Sequence, residues 1–312
     1  MEVHAPVAQS VAQQTFNLCV AGSIPARSTF PKTLSAIRKE ITMARILDCK
    51  GSAQKLLNMT KENIESRGFH PRLAIISVGE DEPSKIYMRN KKRVCNSVGI
   101  DVLEIHYDSV TFSELVDKIW ELNADITVNG VMLQFPVVEG LEHAVDYIDF
   151  TKDVDGLARD HMHNPCTPDG IMWLLNQERI YPQGKHVVVV GRSKLVGKPL
   201  ANQLIEAGAT VTVCNSHTED LGFYTRQADI LVVAAGHPKL ITADMVSDEK
   251  IVSVIDVGIN RTENGICGDV DFENVEPIVD SITTVPGGVG VLTTAEVAFH
   301  TYISCLIQSE KK

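Results

Sequence analysis

Apolar residues recur along the chain in two alternating patterns, which predict a series of helices and strands. Between residues 53 and 66 they follow helical spacing, and residues 72–79 then form a short, largely apolar run typical of a buried strand. Helices and strands continue to alternate, as in repeating α/β units. The other elements predicted for this first series are a helix at 83–97, a strand at 101–106, a helix at 112–122 and a strand at 130–133.

A second series with the same alternation begins after Pro165 and Pro168. The pattern predicts a mainly parallel sheet with helices on both faces. We therefore predict an α/β fold of two domains, one at 43–166 and one at 167–292, with a last helix at 293–308 that packs back on the first domain and adds 293–312 to it. The second series comprises a helix ending near 176, a strand at 186–190, a helix at 199–207, and strands at 210–214, 230–233 and 252–256.

Length, charge and cysteine usage narrow the class of protein. The 312 residues allow about two domains, and a net charge of -11 disfavours a general affinity for nucleic acid or anionic membranes. No run approaches the ~18 consecutive apolar residues of a membrane span. The seven cysteines contain no C-x-x-C pair, so we expect neither a metal site nor a disulfide framework, and a reducing compartment fits best.

Residues 1–42 differ in composition from the rest of the chain. They carry four Lys and Arg against two Glu. A mitochondrial transit peptide would need a clearer Arg-rich amphipathic helix. We interpret this stretch as an extension that is disordered or precedes the native start at Met43, and we expect a cytoplasmic rather than a mitochondrial protein.

A glycine-bearing loop follows the strand predicted at 186–190. It begins at Gly191, continues through Arg192 and Ser193, and reaches Gly197 where the next helix starts. Glycine lets a backbone approach a pyrophosphate closely, and a helix N-terminus offers free N–H groups and the positive end of its dipole. Because the spacing differs from G-x-G-x-x-G, a structural turn is the alternative. The position of the loop in a βαβ unit favours dinucleotide binding.

The end of the next strand favours NADP over NAD. An Asp or Glu at this point would bond the ribose 2′-hydroxyl of NAD and repel a 2′-phosphate. The chain instead reads Cys-Asn-Ser-His-Thr at 214–218. The guanidinium of Arg192 could bind phosphate oxygens, unless it is simply solvated.

The helix predicted at 83–97 places a tyrosine and a lysine on one face. Tyr87 and Lys91 are four residues apart, with Ser84 one turn earlier. A lysine close to a phenol, other cations and apolar surface can donate or accept a proton, although periodicity alone favours a solvated basic face. Short-chain dehydrogenases use a Tyr-x-x-x-Lys pair after the dinucleotide loop, whereas Tyr87 precedes Gly191, so that family is excluded.

These segments together resemble one known family, the bifunctional methylenetetrahydrofolate dehydrogenase/methenyltetrahydrofolate cyclohydrolases. The resemblance covers almost everything after Met43 and rests on eight short motifs in the same order. They are V-G-E-D at 78–81 with S-x-x-Y-x-x-x-K at 84–91, G-V-M-L-Q-F-P at 130–136, K-D-V-D-G at 152–156, P-C-T-P at 165–168, G-R-S at 191–193, D-V-G-I-N at 256–260, G-D-V at 268–270 and V-P-G-G-V-G at 285–290.

The resemblance implies a homodimeric enzyme with a folate cleft between two domains, the second of them Rossmann-like. Lys91 would be the essential group of the cyclohydrolase step, Tyr87 would stack on the folate, and Gln134 would hold Lys91 in position. Asp155 would bind the pterin amide and amino edge, although Asp-Gly pairs are also common in turns. The loop that would close over the substrate contains Pro286, Gly287 and Gly288.

The implied chemistry is oxidation of 5,10-methylenetetrahydrofolate to 5,10-methenyltetrahydrofolate with NADP, followed by hydrolysis to 10-formyltetrahydrofolate. Hydride transfer mainly requires two ligands to be positioned, and Lys91 could move protons during hydrolysis. No metal is required. The residues expected to contact NADP are Gly191, Arg192, Ser193, Gly197, Ser216 and Ile259.

The chain departs from the usual family pattern at a few positions, and two other functions stay open. The segment from Asp155 to Pro165 is several residues shorter, and Asn215 stands where His is usual, at the adenosine end of the expected NADP site. One alternative is a non-catalytic folate or dinucleotide binding protein of this fold. The other is a dehydrogenase for an amino or hydroxy acid, which would not need both Gln134 and Asp155.

Overall fold

A computed structural model describes residues 43–79, 82–263 and 265–310, and within the helix at 82–97 it describes side chains from Met88 onward. The predicted extension at 1–42 and the side chain of Tyr87 lie outside the described residues. The strands are β1 (Arg45–Ile46), β2 (Arg72–Val78), β3 (Asp101–Tyr107), β4 (Gly130–Leu133), β5 (His186–Val190), β6 (Thr210–Cys214), β7 (Ile230–Val233), β8 (Ser253–Asp256), β9 (Asn260–Thr262), β10 (Gly265–Cys267) and β11 (Ser281–Ile282). The helices are α1 (Cys49–Arg67), α2 (Glu82–Ser97), α3 (Phe112–Ala124), α4 (Cys166–Gln177), α5 (Gly197–Glu206), α6 (Leu221–Thr225), α7 (Phe272–Val275) and α8 (Val289–Glu310).

The described residues fall into two units. The first unit comprises Ala53–Gly170 and 292–310, and the second comprises 43–52 and Ile171–Val291. Every helix and strand predicted from the sequence is present, and the prediction of two α/β domains with parallel sheets is confirmed.

The first unit is built on a parallel sheet in the order β3-β2-β4. Successive side chains of a strand point to opposite faces, so Leu73 and Ile75 belong to one buried cluster and Ala74 and Ile76 to another. The first cluster includes residues of α1, α2 and α8, and the second includes the apolar face of α3. Helices therefore cover both faces, and the last helix packs on this unit as predicted.

The second unit contains a six-stranded parallel sheet in the order β1-β11-β8-β7-β5-β6. Its β5 is buried from Val187 to Val190, as the β-branched run predicts for a central parallel strand. The chain runs from β5 to β6 on one side and returns to β7 on the other side of β5. The order of strands therefore reverses at the carboxyl end of β5, where ligands bind in open α/β sheets.

Residues 43–52 correct one predicted boundary. We predicted that the first domain begins at 43, but this segment belongs to the second unit. The reason is that β1 pairs in parallel with β11 and extends the six-stranded sheet at its edge. Two-residue strands such as these leave no recognisable period in the sequence.

Helix α8 is the one helix among the described residues that is long and apolar enough to cross a membrane by length and composition. Most of its apolar window is buried within the protein, where it forms part of the first unit's core. Its apolar character is therefore that of a core helix.

Candidate active and cofactor sites

Lys91 is a buried lysine held by a glutamine. Its Nζ donates a hydrogen bond of 2.8 Å to Oε1 of Gln134, and the two side chains are 7% and 8% exposed. The amide of Gln134 is itself fixed, because Nε2 donates to the carbonyl of Phe135 at 2.6 Å. Gln134 directly follows β4, so the pair lies at the carboxyl end of the first unit's sheet.

The orientation of α2 separates Lys91 from the other basic residues around it. Met88, Lys91 and Cys95 are buried and share one face of the helix. Arg89 and Arg93 are exposed, and Lys92 contacts Glu104 at the surface. The solvated basic face predicted as the simpler alternative therefore exists, but it excludes Lys91.

Two side chains of the K-D-V-D-G motif, Lys152 and Asp153, have structural roles. Lys152 is buried and its Nζ donates to the carbonyls of Leu122, Asn123 and Asp125 at 2.8–2.9 Å, which closes the C-terminal end of α3. Asp153 accepts hydrogen bonds from the backbone N–H groups of Gly156 and Ala158 at 3.1 and 2.8 Å. Burial raises the pKa of Asp153 to about 6.

Asp155, on the turn that Asp153 holds, is half-buried, and no described residue donates a hydrogen bond to its side chain. The charge of Asp155 changes the pKa of Cys166. Burial and then the charge of Asp155 raise the pKa of the Cys166 thiol well above its usual value, whereas Lys91 lowers it. The charges of Lys91 and Asp155 therefore act in opposite directions on this buried thiol of the first unit.

In the second unit, the loop after β5 approaches the neighbouring strand so closely that only glycine fits. Gly191 has φ +115°, and a Cβ built on it would lie 2.1 Å from the carbonyl oxygen of Ala234, which follows β7. A Cβ on Gly197 would lie 2.1 Å from the oxygen of Gly191. The hydroxyl of Ser193 accepts the N–H of Val196 at 3.1 Å, which shapes the start of α5. The result is a tight backbone turn in front of a helix N-terminus at the strand-order reversal.

Two buried carboxylates, which the sequence motifs contain but to which we assigned no role, fix the other side of this turn. Asp269 accepts hydrogen bonds of 2.7–2.9 Å from the backbone N–H groups of Ala235, Gly236 and His237. Asp256 accepts the backbone N–H groups of Gly258, Asp269 and Val270 at 3.0 Å. The D-V-G-I-N and G-D-V motifs therefore support the loop that faces Gly191.

The remaining predicted cofactor residues lie on the surface of the second unit. Arg192 and Ser216 are exposed, and Ile259 is 47% exposed. The side chain of Asn215 accepts the N–H of His217 at 2.9 Å and so shapes the loop after β6. An amide in place of the usual imidazole therefore has a local structural role.

The predicted substrate loop at 286–288 also belongs to the second unit. Pro286 is exposed, Gly287 has φ +89°, and a Cβ on Gly288 would lie 2.1 Å from the carbonyl oxygen of Thr284. Glycine is therefore required by backbone geometry at both positions. Lys91, Gln134 and Asp155 belong to the first unit, where Lys91 and Gln134 are in contact, whereas this loop and the cofactor residues belong to the second unit.

A parallel α/β sheet with a glycine turn at its reversal point indicates a dinucleotide-binding enzyme, and the buried lysine of the first unit adds a group suited to proton transfer. Models of one family match both parts of the chain. The catalytic domain of tetrahydrofolate dehydrogenase/cyclohydrolase matches residues 47–155, and the NAD(P)-binding domain of the same family matches residues 165–309. The chain belongs to the tetrahydrofolate dehydrogenase/cyclohydrolase family.

Named relatives agree with this assignment. The bifunctional protein FolD of Dechloromonas aromatica is 43% identical over 266 residues, which cover 80% of this chain and 93% of that protein. The bifunctional FolD methylenetetrahydrofolate dehydrogenase/cyclohydrolase of Campylobacter jejuni has a similar structure, with a TM-score of 0.81, 40% identity, and coverage of 85% of this chain and 99% of that one.

The dehydrogenase-cyclohydrolase of Trypanosoma brucei, whose structure holds NADP and an inhibitor, has a TM-score of 0.80 and 28% identity, and the match covers 86% of this chain and 99% of that one. The predicted enzyme class, its methylenetetrahydrofolate dehydrogenase and methenyltetrahydrofolate cyclohydrolase activities, and NADP as its cofactor are confirmed.

Proposed function

We propose that the cyclohydrolase centre consists of Lys91, Gln134 and Asp155, with Tyr87 stacking on the folate ring. The observation that carries the proposal is the 2.8 Å hydrogen bond between the buried Nζ of Lys91 and Oε1 of Gln134. Among the described residues, Gln134 alone accepts a hydrogen bond from Nζ of Lys91, so the other N–H groups of this buried side chain are available to a substrate. A side chain held in this way can transfer protons with little reorganisation. Asp155 offers a carboxylate that matches two adjacent donors on the pterin amide and amino edge.

The proposed residue roles follow the order of the chemistry. Bound NADP would supply the hydride acceptor for the one-carbon bridge, whose oxidation gives the cationic methenyl group. Water then adds to the methenyl carbon and loses a proton, which leaves a hydroxyl on that carbon. As the bond from this carbon to N5 breaks, N5 takes up one proton, and the hydroxyl loses its own proton to solvent and becomes the formyl oxygen. Lys91 carries the proton between water and N5, Gln134 holds its Nζ in place, and Asp155 keeps the pterin in register.

In the second unit, the turn from Gly191 to Gly197 would hold the pyrophosphate of NADP. Arg192 and Ser216 would bind the phosphate at the adenosine end, and Ser193 and Ile259 would also contact the cofactor. The segment Pro286 to Gly288 covers the substrate. Initial rates with NADP and with NAD, on protein beginning at Met43, test the cofactor preference.

A pair of lysine variants tests the central assignment. We expect Lys91→Met to lower the hydrolysis of methenyltetrahydrofolate at least 100-fold, which is the scale of a lost general acid–base group, while NADPH formation in the dehydrogenase step continues. Lys92→Met is the matched control, because it removes the neighbouring surface lysine on the same helix. Wild-type rates of hydrolysis in Lys91→Met would refute the proposed role.

We further propose that the enzyme works as a homodimer in the cytoplasm, on the strength of the family resemblance. Light scattering on purified protein measures the mass of the assembly. A C-terminal fluorescent fusion of the full chain shows its compartment in living cells, and a mitochondrial pattern would contradict the proposed location.

A further inference from the structure

A cluster of ionisable side chains lies buried in the first unit beside the turn that carries Asp155. His163 and His300 stack with ring centroids 4.3 Å apart and an angle of 10° between their planes. Nε2 of His300 lies 3.2 Å from Oδ2 of Asp169 and 3.7 Å from Oε2 of Glu296. All four side chains are at most 5% exposed. Burying charged groups costs folding free energy unless they are paired and hydrogen-bonded, so the partners of each group in this cluster need to be identified.

The hydrogen-bond partners of His300 determine where its protons are. Nδ1 lies 2.9 Å from the carbonyl oxygen of Val154, which can only accept, so Nδ1 carries a hydrogen and donates it. Nε2 faces the carboxylate of Asp169 and donates to it. Burial lowers the pKa of His300, but the hydrogen bond and charge of Asp169 with the charge of Glu296 raise it to about 9. The ring is therefore an imidazolium that spans from Asp169 to the backbone of Val154.

This span ends at the residue before Asp155. The carbonyl of Val154 also accepts the thiol of Cys166 at 3.2 Å. On the other side of Asp155, Gly156 has φ +66°, and a Cβ on it would lie 2.5 Å from backbone atoms of His163 and Asn164. Both peptide groups that flank Asp155 are therefore fixed, one by hydrogen bonds and one by close packing.

We infer that His300, oriented by Asp169, is a positioning residue that sets the direction of the Asp155 carboxylate toward the folate substrate by donating a hydrogen bond to the Val154 carbonyl. The inference rests on the proposed role of Asp155 as the folate anchor. His300 contacts neither substrate nor cofactor in this scheme. It acts through one backbone carbonyl, in the same way that residues around a metal site orient the direct metal ligands by hydrogen bonds.

Charged and titratable groups surround His300 from several elements. Burial raises the pKa of Glu296, and Asp169 lies closer to Nε2 of His300 than Glu296 does, so Asp169 is the nearest counter-ion of the ring. Burial lowers the pKa of His163, which therefore stays neutral and hydrogen-bonds Ser304 at 2.9 Å. The charge of His161 also acts on His163. The neighbouring thiol of Cys166 on α4 is acted on by Glu296 and Asp169 of the cluster and by Asp155 and Lys91.

Two substitutions at one position separate the hydrogen bond from the ring. The Nδ2 of an asparagine occupies nearly the place of histidine Nδ1, so His300→Asn keeps a donor for Val154, whereas His300→Leu keeps similar bulk without one. We expect His300→Leu to raise KM for methylenetetrahydrofolate about tenfold with kcat and the KM for NADP little changed, and His300→Asn to stay within about threefold of wild type. Equal KM values for the two variants would overturn the inference.

His163→Phe is the matched control. It keeps a ring stacked on His300 and removes a second buried imidazole that does not reach Val154. We expect its folate KM to match wild type although its unfolding free energy falls, whereas a tenfold rise would mean that any damage to the cluster raises KM. If His300→Leu fails to fold, the pH profile of wild type decides. Above about pH 9 the ring loses one proton. The carboxylate of Asp169 retains the hydrogen on Nε2, so the hydrogen lost is the one on Nδ1 that faces Val154. The folate KM should then rise with the KM for NADP unchanged, and a flat profile would overturn the inference.

A double variant distinguishes failure of this inference from failure of the proposed function. If Asp155→Asn leaves the folate KM unchanged, the anchor role of Asp155 is wrong. If Asp155→Asn raises KM but His300→Leu does not, only the inference about His300 fails. When both hold, adding His300→Leu to Asp155→Asn should raise KM by less than twofold, because the two residues act in one chain of contacts.

Discussion

Replacing Gly191 with alanine should damage the cofactor turn in two separable ways. An L-residue at φ +115° costs ~1–2 kcal/mol in the left-handed region. A Cβ placed 2.1 Å from the carbonyl oxygen of Ala234 must displace backbone, and overpacking of this kind costs ~1–3 kcal/mol. Together the two effects lower the free energy of unfolding by ~2–5 kcal/mol. Because the displaced atoms form the turn, we also expect the Kd for NADP to rise at least tenfold.

Two other glycines in the same unit supply the controls. Gly184 has φ +71° and no atom within 4 Å of its Cβ position, so Gly184→Ala tests the backbone conformation alone. Gly197 lacks a positive φ but meets the oxygen of Gly191 at 2.1 Å, so Gly197→Ala tests the collision alone. Urea unfolding and fluorescence titration with NADPH measure the two effects. If Gly191→Ala has the same unfolding free energy and the same Kd for NADPH as Gly184→Ala, the close approach to Ala234 has no role in stability or cofactor binding.

Two further predictions concern the buried charges that hold the turns. Lys152→Met leaves three carbonyls at the end of α3 without their donor and should lower the free energy of unfolding in urea by ~1–3 kcal/mol. Lys118→Met, which removes a surface ion pair on the same helix, should lower it by less than ~1 kcal/mol. Equal losses in the two variants would contradict the capping role of Lys152. Burial raises the pKa of Asp256 to about 6 from an ordinary value of 3.8, so protonation of this carboxylate favours the folded state. Between pH 7 and pH 5, the free energy of unfolding of wild type should therefore rise by roughly 1 kcal/mol relative to that of Asp256→Asn. A difference between the two proteins that does not change with pH would contradict this prediction.

The fold was largely predictable because its central elements carry strong local patterns. Helices α1 and α3 each span several turns, so their helical spacing is visible in the sequence, and β5 is recognisable from its run of consecutive valines. By contrast, β1 and β11 are two residues long and exist only because each adds to a sheet edge formed elsewhere in the chain. No local pattern can predict a pairing whose partner is more than 200 residues away, which is why residues 43–52 were placed in the wrong unit.

The candidate site was predictable only in part for a similar reason. The spacing of Tyr87 and Lys91 indicates that they share one helical face. The hydrogen bond that holds Lys91 is accepted by Gln134, which follows β4 and is 43 residues away in the sequence. The partners of His300 lie on two helices and a loop, up to 146 residues away. Sequence spacing reports neighbours within an element, whereas the arrangement of buried charges is decided by which elements pack together.

The K-D-V-D-G motif shows how this distinction affects the interpretation of a motif. Its two aspartates are one residue apart, yet Asp153 is buried with its oxygens occupied by backbone N–H groups, and Asp155 is half-buried with no hydrogen bond from a described residue. A carboxylate with satisfied hydrogen bonds stabilises a turn, and one without them is available to a ligand. Lys152 likewise spends three donors on a helix end, whereas the described contacts of Lys91 occupy one. Lys152 and Asp153 therefore have structural roles, because the fold satisfies their polar groups. Lys91 and Asp155 keep polar groups that the described residues do not occupy, and these are available to a ligand.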